Sequence, residues 1–112
     1  MTGKMVVLST VSKPEDAERL ARELVEGRLA ACVNVLPSVT SFYRWKGRLE
    51  REEERLLLIK IREEDFERVR ERVVALHPYE VPEVIGLRID RGHAPYLEWM
   101  DRSVGPGSGQ GV

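Results

Sequence analysis

A small set of side chains stands where blander ones would serve. His77 lies in the run H-P-Y-E-V-P-E, His77 to Glu83. A neutral imidazole is a common transition-metal ligand, which makes His77 the leading metal candidate. The plainer alternative is a helix-terminal histidine, whose positive form suits the helix dipole. Cys32 offers a soft thiol, or is simply a small buried residue in an apolar strand. Glu80 and Glu83 sit on the same Pro-framed loop and could ligate a hard or borderline cation, or remain solvated acids. The metal candidates are therefore His77, Cys32 and Glu83. Lys60 is the one charge in the aliphatic run Leu57 to Ile61. A lysine there must reach water or meet a carboxylate, with Glu80 or Glu83 as the expected partner. Together with Tyr43, Trp45, Tyr79, Glu80 and Trp99, it outlines either a ligand pocket or a packed subunit interface.

Other chemistries lack their residues. No H-E-x-x-H, C-x-x-C or G-x-S-x-G occurs, and no Ser/His/Asp set can be assembled. No glycine-rich loop opens a helix after a strand. Enzymatic activity is therefore not expected. The 18 Lys+Arg and 19 Asp+Glu leave a net charge of −1. That balance speaks against a nucleic-acid binder and against a polybasic membrane anchor. The strand L-L-L-I-K-I also has no aromatic on which bases could stack. Met5 to Leu8 is too short for a signal core or a membrane span. A single cysteine excludes an intramolecular disulfide, so a reducing, cytoplasmic setting is the default. Arg and Glu far outnumber Lys and Asp, and amides are scarce, which suggests a thermostable protein.

The elements that must position these groups follow from periodicity. Met5 to Thr10 reads as a buried strand. Ser12 and Glu15 have capping-box spacing, with Pro14 in the first helical turn. Ala17, Leu20, Ala21, Leu24 and Val25 form one helical stripe, and Gly27 is the expected stop. Ala30 to Leu36 is a strand ended by Pro37. Val39 to Lys46 is extended and is answered by Leu56 to Ile61, so residues 39–61 read as a long hairpin. Glu63 to Leu76 is a helix with Phe66, Val69, Val73 and Leu76 on one face, ended by His77-Pro78. Val84 to Asp90 is a strand and Pro95 to Val104 a short helix. This order predicts an α+β fold of the ferredoxin-like βαββαβ type, with a long central hairpin and an extra C-terminal helix. The domain spans 1–104, followed by a flexible Gly-rich tail, 105–112. His93 is expected at the surface or capping the last helix, and the acidic runs Glu50, Glu52–Glu54 and Glu63–Asp65 are expected to be solvated or ion-paired.

At A-A-C-V-N-V (Ala30 to Val35), S-F-Y-R-W-K-G (Ser41 to Gly47), H-P-Y-E-V-P-E and Y-L-E-W (Tyr96 to Trp99), the sequence resembles the CutA family of divalent-cation tolerance proteins. The resemblance runs from Val6 to about Val104. It implies a tight homotrimer of ferredoxin-like subunits, similar to PII signalling proteins. It also implies a role in tolerance to copper and other divalent cations, with no firm enzymatic activity. Family copper binding involves a histidine at the position of His77, with cysteine and histidine neighbours in some members. Here those neighbouring positions hold Ser9 and Leu76, so copper or another divalent cation is expected to bind weakly. The trimer fits the physics, because a projecting hairpin with exposed Phe42, Tyr43 and Trp45 leaves open edges that a soluble chain covers by assembly. A rival expectation is a PII-like sensor or adaptor whose inter-subunit clefts, lined by Lys60, Tyr43, Trp45 and Glu83, take an anionic metabolite or a partner protein.

Overall fold

The computed structural model describes residues 1–105. The remainder of the expected flexible tail, from 106 on, lies outside the described residues. Strand β1 (Lys4–Val11) leads into helix α1 (Pro14–Glu26), then β2 (Cys32–Trp45) and β3 (Arg48–Arg62). A single 3-10 turn (Glu63–Asp65) enters α2 (Phe66–Leu76), followed by β4 (Ile85–Ile89) and α3 (Ala94–Ser103). The sheet order is β2-β3-β1-β4, with every neighbouring pair antiparallel. That is the split βαβ arrangement expected from the sequence.

One face of the sheet carries the core. Val7, Val11, Leu57, Ile59 and Ile61 alternate inward and meet Ala17, Leu20 and Leu24 of α1 and Val69 and Val73 of α2. Both helices therefore cover the same face. Helix α3 docks separately, through Leu97, Met100 and Val104 on Ala31. The opposite face is apolar too. The strand register lines up Leu8 with Leu58 and Ile85, and Val6 with Lys60 and Leu87. No helix of the core layer covers them, and Ile85 and Leu87 are about half exposed.

Four local expectations change. Ala30–Leu36 and Val39–Lys46 are not separate strands but parts of one, β2, with a register break between Leu36 and Val39. Proline is tolerated there because β2 is an edge strand and Pro37 falls in the break, outside the paired residues. The capping box does not form: Lys13 is the N-cap of α1, without a side-chain bond, and the Ser12 hydroxyl turns elsewhere. Helix α2 starts later than Glu63, after the 3-10 turn. Gly27 ends α1 but is not the left-handed residue; Arg28 is, at φ 61. The Leu29 N–H reaches back to the Leu24 carbonyl at 3.1 Å, a Schellman closure. The Arg28 guanidinium bonds the Gly105 carbonyl at 2.8 Å, which holds this unusual backbone in place. At the hairpin tip, Lys46 (φ 52) and Gly47 (φ 78) are both left-handed, and Trp45 pairs directly with Arg48. This is the two-residue turn whose twist matches the strands.

Candidate functional site

Beyond the end of β1, strand β3 continues alone with β2, and the loop joining α2 to β4 wraps over the gap. An open cleft of about 530 Å³ results. Strand β2 contributes Tyr43 and Trp45, and the loop contributes Tyr79, Glu80 and Val81. Strand β3 contributes Glu50, Glu52 and Glu54. Their spacing of two places all three on one face of the strand. The expectation that the acidic run is solvated or ion-paired holds for Glu53, which is exposed and pairs with Arg51, but not for Glu54, which is 3% exposed and has no ion pair among the described residues.

A hydrogen-bonded chain crosses the floor of the cleft. The Tyr79 hydroxyl donates to Glu54 Oε2 at 2.5 Å. Ser12 Oγ lies 2.5 Å from the same hydroxyl and 3.4 Å from Glu52 Oε1. Tyr43 donates to Glu52 Oε1 at 2.9 Å. The bond to Glu52 raises the Tyr43 phenol to about 12. Burial, and then the bond to Glu54, push the Tyr79 phenol up as well. Both phenols are thus hydrogen-bond donors across the ordinary pH range.

His77 holds the loop in place. Its Nε2 donates to the Thr10 carbonyl at 2.8 Å, and its Nδ1 accepts the Tyr79 N–H at 3.1 Å. The ring packs edge-on against Tyr79 at 4.6 Å between centroids. Burial lowers its pKa, opposed by the Thr10 carbonyl, Asp16 and Glu54, so the neutral form is favoured. This corrects the expectation of His77 as a metal ligand. A neutral imidazole has one proton and one free lone pair on its ring nitrogens, and the backbone uses both.

The other expected residues divide between two places. Tyr43, Trp45, Tyr79 and Glu80 do line one cleft. Lys60 and Trp99 do not belong to it. Lys60 Nζ lies 3.5 Å from the Tyr96 hydroxyl and 5.7 Å from the Tyr96 ring centroid, and Tyr96 packs on Trp99. Its expected carboxylate, Glu80 or Glu83, is not its partner. Glu83 instead approaches Thr10 Oγ1 at 3.5 Å, on the residue whose carbonyl holds His77. Cys32 stands opposite Lys60 on the neighbouring strand, with Sγ 3.7 Å from Asn34 Oδ1. It is far from Thr10, because Lys60 faces Val6, four residues along β1. His77, Glu83 and Cys32 therefore do not form one site. Among the described residues, no three His, Cys, Asp or Glu side chains converge to hold a metal ion. No helix among them is long and apolar enough to cross a membrane. His93 is an exposed N-cap without a side-chain bond.

The cleft's negative charge disfavours an anionic metabolite there. Sequence reasoning missed its acidic wall. The signal was present in the period-two spacing of Glu50, Glu52 and Glu54, continuing the face of Leu56 and Leu58.

An antiparallel β2-β3-β1-β4 sheet with two helices on one face and a long hairpin defines a ferredoxin-like α+β protein. The family model described as "CutA1 divalent ion tolerance protein" matches residues 5–103, and the chain belongs to that family. It is 49% identical over 100 residues to the divalent-cation tolerance protein CutA of Thermus thermophilus, covering 89% of this chain and 97% of that one. Among solved structures it superposes on CutA1 from Oryza sativa with a TM-score of 0.89 at 42% identity, covering 95% of this chain and 99% of that one. It also matches the protein described as the periplasmic divalent cation tolerance protein CutA from Archaeoglobus fulgidus, with a TM-score of 0.88 at 37% identity over 91% of this chain and 99% of that one.

Proposed function

We propose that this chain serves divalent-cation tolerance as a cytoplasmic homotrimer that binds copper or another divalent cation weakly and catalyses no reaction. Family membership supports the cation role. The uncovered apolar sheet face carries the trimer: Val6, Leu8, Leu58, Ile85 and Leu87 lie on a face no helix of the core layer covers. Edges of β2 and β4 are open at the two sides of the sheet. A head-to-tail contact between unlike edges closes into a ring, and burial of the apolar face drives it.

For the cation, the loop carboxylates Glu80 and Glu83 are the proposed donors, completed by water and by a second copy. His77 acts by fixing the loop that carries them, and Cys32 takes no part. Too few donors per chain explains why affinity is weak. The test is a calorimetric copper(II) titration of wild type against Glu80→Gln/Glu83→Gln. Loss of at least about tenfold in affinity is expected, roughly the effect of losing a ligand shell contact. Equal affinity in the double variant overturns the assignment.

A further inference from the structure

We infer that the basic tip of the β2–β3 hairpin of one copy seats in the acidic cleft of the next, an inference that rests on the trimer proposed above. Arg44, Lys46 and Arg48 crowd the tip, and all three are exposed. None of them makes an ion pair among the described residues, and neither do Glu50, Glu52, Glu54 and Glu80 of the cleft. Elsewhere the chain pairs its charges readily: Arg72 with Glu23, Arg88 with Glu63, and Arg62 and Arg68 with Asp65. The hairpin thus carries two patches of opposite sign that its own chain leaves unpaired.

Glu54 sharpens the point. It is 3% exposed, lines the cleft, and receives a hydrogen bond from Tyr79 but no cation. A buried carboxylate without a countercharge is costly, and an incoming ammonium or guanidinium offsets that cost. The same chain cannot supply it from its own tip. The strands stay paired out to Trp45 and Arg48. Glu54 lies six positions along β3 from Arg48, roughly 20 Å at strand rise. A second copy has no such restriction. Its tip also brings Phe42 and Leu49, which are 64% and 71% exposed in the isolated chain. The Tyr43 ring of the receiving cleft offers a face on which a cation can rest, whereas the Trp45 ring already carries its own chain's Lys46 at 5.6 Å. The basic tip at Lys46 and Arg48 and the acidic floor of the cleft at Glu54 lie at different points along the hairpin, so the contact is heterologous and propagates around a closed ring.

Two charge-reversed chains test this. One carries Lys46→Glu/Arg48→Glu at the tip, the other Glu50→Lys/Glu52→Lys in the cleft. Analytical ultracentrifugation reads the trimer of each alone and of an equal mixture. Each variant alone is expected to need at least about tenfold more protein to assemble, as for loss of close interfacial charge pairs. The mixture is expected to recover part of the lost assembly as mixed trimers, because in a ring of two variants two of the three contacts are complementary and only one stays like-charged. Variants that assemble as tightly as wild type, or a mixture that does not recover, overturn the inference. Should the reversed cleft fail to fold, Glu50→Gln/Glu52→Gln replaces it. The neutralised cleft must then flatten the salt dependence of assembly, and an unchanged salt dependence overturns the contact. A wild type that is monomeric throughout defeats the trimer reading itself, and this inference with it; a trimeric wild type with indifferent variants defeats the tip-to-cleft contact alone.

Discussion

His77 and Tyr79 act as a pair: the imidazole fixes the backbone at Tyr79, and the Tyr79 hydroxyl then caps the buried Glu54 carboxylate. Removing that hydroxyl with Tyr79→Phe leaves Glu54 without its donor at a 3% exposed position. A loss of about 1–3 kcal/mol of stability is expected. Denaturant melts of wild type and variant check it, and equal midpoints would count against the pairing. His77→Ala removes two backbone-directed bonds and is expected to destabilise the fold by a similar amount, about 1–3 kcal/mol, and, because the loop carrying Glu80 and Glu83 loses its anchor, to weaken copper(II) binding per folded chain by about tenfold. A parallel melt and titration separate the two outcomes. At this scale, the sequence marked out residue types more readily than their partners. The run His77 to Glu83 was legible as special because its residues break the bland pattern. Which lone pair of His77 was spoken for was not legible, because Thr10 is 67 residues away and meets it only in the folded chain.

Among the elements, the 3-10 turn before α2 is secured by a buried acid. Asp65 is 1% exposed and is bonded by Arg62 Nε at 2.8 Å and by Arg68. Burial alone would raise its pKa, but the bonds from Arg62 and Arg68 outweigh it and the net direction is down. The sign follows. A folded pKa below the unfolded value adds stability above the usual Asp range near 3.9, and that stability is lost as the pH falls through the folded value. Acid titration of wild type should therefore show a steepening loss below about pH 4. Asp65→Asn should remove that component and cost about 1–3 kcal/mol near neutrality, since the largely buried Arg62 guanidinium is left with Glu64 alone at 3.6 Å while Arg68 stays solvated. Melts across the acid range check both, and an unchanged acid slope would refute the role. Element identity was largely readable from period-two and period-3.6 patterns, as in Leu57/Ile59/Ile61 and Ala17/Leu20/Leu24. Pro37 misled, because a proline reads as a strand end unless the strand is known to lie at a sheet edge. Ser12 misled because a cap and a cleft hydroxyl look alike until Tyr79 is brought beside it.

At the scale of the whole molecule, one chain has an apolar sheet face, two open strand edges and a hairpin whose tip reaches past the core. Leu58→Asp and Leu87→Glu are placed on the uncovered face. Each is expected to disperse the trimer while leaving the secondary structure of the subunit intact, because neither touches the helical core. Circular dichroism and sedimentation together check that, and a trimer that survives both changes would mean the face is not the interface. The subunit fold could be read from one sequence because its contacts recur in local patterns. The completed site could not, since on the proposed reading its missing charges and donors come from other copies. Native mass spectrometry of the intact chain, recorded without and with copper(II), tests the central proposal most directly. The account predicts the mass of three chains in both spectra, with copper adducts appearing on the trimer and lost on mild activation. A monomer in both, or a trimer that takes up no copper or other divalent ion, would contradict it.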